Sequence, residues 1–163
     1  METEKMKMVF EIANSLLGTA KYNLRKDGYL CPVSFIIKDV TEDDASVRCI
    51  IPESFKTQED KEAFANLLSV LSKSLCADAL VMIFESWVYP VVKMANHQEE
   101  KVEAIVCLLQ IADGREFANL CKVERNEGVI EIKESGWFEK GEKVAVYGLF
   151  DGLLKNNKDE EIN

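Results

Sequence analysis

A chain of 163 residues is long enough to bury a full hydrophobic core without disulfides or a structural metal. Its 20 lysines and arginines against 29 aspartates and glutamates leave a formal charge of −9, which opposes nucleic acid and anionic membrane surfaces as partners. No apolar stretch reaches the roughly 20 residues that span a bilayer, and Met1 to Lys7 is too charged for a secretory signal, so a cytoplasmic protein without membrane contact is expected.

The first expected element is a helix from about Thr3 to Lys26. Met6, Phe10, Ala13, Leu17, Ala20 and Leu24 recur at spacings of four and three, and Val9, Ile12 and Leu16 widen that stripe. The stripe would serve a coiled-coil seam, but packing on a sheet is the commoner use. Asp27-Gly28 ends the helix, because glycine accepts the left-handed conformation of a C-cap. Lys21, Arg25 and Lys26 read as cations offsetting the helix dipole rather than as a phosphate-binding patch.

Tyr29 to Lys38 and Ser46 to Ile51 are rich in β-branched and aromatic residues, and the acidic Thr41 to Asp44 between them suits a hairpin loop. Thr57 with Asp60 three residues on forms a capping box, followed by Phe64, Leu67, Leu68, Leu71 and Leu75 at helical spacing. Leu80 to Tyr89 and Val102 to Ile111 read as central strands, apolar on both alternating faces. Asp113-Gly114 suggests a type I′ turn into a return strand from Phe117 to Glu124. A further strand is expected over Val129 to Lys133 after the Asn126-Glu127-Gly128 turn, then a glycine-bounded loop over Trp137 to Lys143. Val144 to Leu154 fits either a last strand or a short helix.

These elements, in the order α-β-β-α-β-β-β-β, predict one α+β domain over residues 1–154, followed by a disordered polar tail over residues 155–163. The sheet should be mostly antiparallel, with five to seven strands and two long helices. Two long helices can cover one sheet face, yet the two central strands demand cover on both, which the C-terminal segment or a second copy would supply. Self-association, or another protein partner, is therefore expected.

The common catalytic constellations are missing. His97-Gln98-Glu99 matches half of the zinc-deaminase signature, but no Pro-Cys-x-x-Cys partner exists and His97 falls in a polar connection. No Gly-x-Ser-x-Gly elbow and no glycine-rich phosphate loop occur. Asp39, Thr41 and Asp43 begin like a calcium loop, yet Asp44 and Ile50 occupy the positions that need glycine and glutamate. The five cysteines, Cys31, Cys49, Cys76, Cys107 and Cys121, are widely spaced and mostly in apolar runs, which predicts buried, reduced thiols. Neither a metal nor a cofactor is expected.

The segment Glu85-Ser86-Trp87-Val88-Tyr89-Pro90 stands out, because an apolar central strand turns polar and aromatic just before it breaks. Glu85, Trp87 and Tyr89 share a face there. They could line a pocket with a carboxylate anchor, or simply finish the core with Glu85 at its wet rim. Candidate binding residues are therefore Glu85, Trp87 and Tyr89, with Trp137 as a further wall and His97 as a second acid or base beside Glu85.

Three segments, Arg25-Lys26-Asp27-Gly28-Tyr29-Leu30-Cys31-Pro32-Val33, Glu85-Ser86-Trp87 and Glu103-Ala104-Ile105, resemble a family of small uncharacterised bacterial and bacteriophage proteins. The resemblance implies an α+β fold and a bacterial or prophage origin. It singles out Glu85 and Trp87 without giving them a role. The leading expectation is a non-enzymatic binding or assembly protein. The alternative is an enzyme of unfamiliar type that uses the Glu85 carboxylate in an aromatic-walled pocket.

Overall fold

A computed structural model describes residues 1–88 and 101–140. The apolar stripe of the first segment folds as helix α1, Thr3–Asp27, and buries Val9, Ala13, Leu17, Ala20 and Leu24. Gly28 stops it with φ of 82°, and its N–H reaches the Leu24 carbonyl at 2.8 Å. The strands are β1, Val33–Lys38, and β2, Ser46–Ile50, then β3, Ala79–Val88, and β4, Val102–Ile111. They are completed by β5, Glu116–Asn126, and β6, Val129–Glu139. Helix α2, Gln58–Ser74, enters through the expected box: Thr57 Oγ1 accepts from the Asp60 N–H, and the Asp60 carboxylate accepts from the Thr57 N–H.

The six strands of the described residues form one antiparallel sheet in the order β2-β1-β3-β4-β5-β6, in the α+β arrangement and element order expected. The two helices do not share a face. Helix α1 packs with Ile37, Val81, Ile83, Ile105, Cys107, Leu109 and Cys121, whereas α2 packs with Ile36, Leu80, Met82, Val106 and Leu108. Successive strand residues point to opposite sides, so these sets are the two faces of the sheet. The doubly apolar strands β3 and β4 are thus covered from both sides by the chain's own helices. That removes the premise from which self-association was expected.

Local details correct the sequence reading. Strand β6 runs through Trp137 to Glu139, where a loop was expected, because Ala118 and Asn119 pair with Phe138 and Trp137 beyond an irregularity at Asn119/Cys121. The Asp113-Gly114 turn is not type I′: of its residues only Gly114 has positive φ. Ile111 and Arg115 instead close a three-residue loop, with the Gly114 N–H on the Ile111 carbonyl at 2.9 Å. The two-residue primed turn lies at Glu127-Gly128, where φ is 50° and 82°. Leu67 points outward from α2, and the small Ala65 and Ser72 take the buried positions beside Phe64 and Leu68.

Among the cysteines only Cys107 and Cys121 are buried, while Cys31, Cys49 and Cys76 are exposed. Apolar neighbours in sequence did not bury them, because each lies near an element end or on an edge strand. The segment Val144 to Leu154, the tail over residues 155–163, and both Tyr89 and His97 lie outside the described residues.

Candidate functional site

Along β3 the residues facing α1 are Ala79, Val81 and Ile83, all buried, then Glu85 and Trp87. The alternation keeps its phase while the chemistry changes, because the helix above has ended. After Gly28 the chain turns down onto the sheet, and the Leu30 N–H donates to Glu85 Oε1. Past that contact the face opens to solvent, and Trp87 is 64% exposed. The alternative in which Trp87 finishes the core is thereby set aside.

Register brings two more residues to this sheet end. Glu103 of β4 stands directly opposite Trp87. Arg125, two positions beyond Val123 on β5, holds Glu103 in a fork, with Nε to Oε2 at 3.0 Å and Nη2 to Oε1 at 2.8 Å. Its Nη2 also lies 3.9 Å from Glu85 Oε2. Glu85, Ser86, Trp87, Glu103 and Arg125 line a wide hollow of about 440 Å3.

The two carboxylates are pushed apart. Partial burial raises Glu85 above the ordinary carboxylate range, and the neighbouring Glu103 pushes the same way against the opposing Leu30 N–H and Arg125. The Arg125 hydrogen bonds hold Glu103 below that range. One carboxyl inclined to keep its proton thus sits beside one that gives it up, with a guanidinium and an indole as neighbours.

Trp137 is not part of this hollow. It lies on β6, three strands from β3, beneath the first half of α1, where its Nε1 donates to Asn14 Oδ1 at 2.7 Å. Its ring meets Phe10 edge-on at 5.4 Å. Lys21 is neither a helix cap nor part of a basic patch, because its ammonium pairs with Glu134 on β6. Glu134 also accepts from Asn119 Nδ2 at 2.7 Å, and Lys21, foremost, lowers its pKa. Burial pushes the nearby Cys121 thiol up to about 11 and Cys107 higher still, so both are poor nucleophiles at neutral pH. Among the described residues no three His, Cys, Asp or Glu side chains are grouped to hold a metal ion, and no helix is long and apolar enough to cross a membrane.

Glu103 and Arg125 escaped the sequence reading. Glu103 was legible in part, since it lies near the start of β4 in phase with the buried Ile105 and Cys107. Arg125 carried no signal, as its meeting with Glu103 depends on the β4–β5 register. No protein-family model, curated protein or solved structure matches the chain, which leaves this geometry as the guide to function.

Proposed function

We propose that this chain is a binding protein that takes its partner at the open sheet end, with Trp87 as the anchor and the Glu103–Arg125 pair as its polar frame. The exposure of Trp87 beside that ion pair carries the reading. A large exposed indole next to an arginine is the composition of an interface centre, where tryptophan and arginine supply most of the binding energy and neighbouring polar groups fix orientation. The hollow is wide and shallow, a shape that suits a protein or peptide segment better than an enclosed metabolite. Arg125 is already engaged by Glu103, so it contributes direction rather than a free charge.

The test compares what the wild type, Trp87→Ala and Trp137→Phe capture from an extract of a bacterial host. Trp137→Phe keeps the packed ring and leaves the hollow intact. A partner retained by wild type and Trp137→Phe and lost with Trp87→Ala supports the reading. Identical captured sets for all three variants count against it.

One observation favours a second reading, small-molecule chemistry with Glu85 as a proton donor. Two adjacent carboxyls with pKa values moved in opposite directions are the usual basis of an acid and base pair. Against it, one Glu85 oxygen is committed to the Leu30 N–H. A screen of small metabolites by melting temperature separates the two. A ligand whose stabilisation is lost in Glu85→Gln but kept in Trp87→Ala would favour chemistry over partner docking.

A further inference from the structure

The sheet has two edges, and they are built differently. Strand β6 carries Glu131, Lys133, Glu134 and Glu139, and its pairing with β5 shifts between Asn119 and Cys121. Charges and irregularities of this kind keep an edge from pairing with another chain. Strand β2 is far less protected. Arg48 is its single charge, four of its five residues are exposed, and its pairing with β1 runs without a shift. Among the described residues no strand lies on its outer side, so a row of backbone donors and acceptors faces outward there.

The side chains on that edge say which strand fits. Val47 and Cys49 pair with Ile37 and Phe35 and so lie on the α1 side of the sheet, with Ile51 next in the same phase. Val47 is 42% and Ile51 68% exposed, and Cys49 is exposed as well. A second copy related by a two-fold axis through the sheet keeps the two faces aligned, so only the central residue remains to be chosen. A centre at Arg48 sets two guanidiniums against each other. A centre at Val47 sets Asp44 against Ile50. A centre at Cys49 sets Val47 against Ile51, Cys49 against its own copy and Arg48 against Ile50, which opposes no like charges and covers all three exposed apolar side chains.

Ile51 also borders a hollow of about 280 Å3 between α1 and β1, with Val33 and Phe35 on its sheet side and Leu16 and Ala20 on its helix side. In the Cys49-centred register the copy's Val47 lands on Ile51 at that mouth. These matches fit the same edge of a second chain. We propose that the chain forms a two-fold homodimer through antiparallel β2–β2 pairing centred on Cys49, joining the two sheets into one. The proposal does not rest on the Trp87 hollow, which lies on β3, two strands in from this edge.

Sedimentation of the full chain under reducing conditions, followed by mild diamide oxidation with peptide mapping, tests it. The expected result is twice the 18.5 kDa chain mass at micromolar concentration. Val47→Lys should shift that mass to one chain with an unchanged circular dichroism spectrum, since Val47 is exposed. Oxidation should link two chains through Cys49 and not in Cys49→Ser. A single-chain mass at high micromolar concentration, a dimer indifferent to Val47→Lys, or cross-links confined to Cys31 or Cys76 would overturn the proposal. Should Val47→Lys fail to fold, the Cys49 link in the wild type decides alone.

Discussion

Glu85 has two tasks at the scale of single residues: it holds the Leu30 N–H, and it titrates beside Glu103. Its pKa is raised on folding, so the folded chain keeps a proton that the unfolded chain releases. Stability is therefore lost as pH rises from the ordinary carboxylate range, about 4.3, to the raised value. Glu103 works the other way: its contribution is present above the ordinary range and is lost as pH falls through the depressed value. Glu85→Gln keeps an acceptor for Leu30 and removes the first effect. It should match the wild type in acid and exceed it in melting temperature at neutral pH, and a pH-independent difference would contradict this account. Glu85→Ala, which also loses the acceptor, should cost about 1 kcal/mol relative to Glu85→Gln, read from urea unfolding. Glu85 and Trp87 were legible in the sequence because a polar and an aromatic residue continued the alternation of a buried strand. Their meeting with Glu103 and Arg125 was not, because which residues two strands set face to face cannot be read from either strand alone.

At the scale of elements, the caps and turns follow from residue chemistry. Thr57→Ala removes the acceptor for the Asp60 N–H and should cost about 1 kcal/mol, measured by urea unfolding. Gly28→Ala meets no atom within 4 Å, so its expected cost, also about 1 kcal/mol, is purely the left-handed φ. Ser72, buried on α2, has no hydrogen-bond partner for its Oγ among the described residues. Ser72→Ala should therefore hold or raise the melting temperature, since an unpaired buried hydroxyl carries a desolvation cost. Helix extents were legible because capping signals are local. The Asp113-Gly114 turn was misread, because a glycine that supplies positive φ fits a two-residue or a three-residue loop equally well. The turn at Asn126-Glu127-Gly128 was legible from its residues, and the structure adds that Glu127 and Gly128 are its two positive-φ centres.

For the whole molecule, what the sequence left open was the placement of the helices. Periodicity shows that α1 and α2 each have one apolar face, and that β3 and β4 have two. It does not say on which side each helix lies. The structure puts one on either side, so Leu17→Ala on α1 and Leu68→Ala on α2 should each cost about 2 to 5 kcal/mol, as for any fully buried leucine. With both faces served, the β2 edge and the sheet end beyond Gly28 are open among the described residues, and Trp87 marks the latter. The central proposal is that Trp87 serves a partner and not the core. Urea unfolding of Trp87→Ala tests it most directly. A change of no more than about 1 kcal/mol is predicted for a largely exposed side chain, whereas a loss of about 3 to 5 kcal/mol, the cost of removing a buried aromatic, would contradict it.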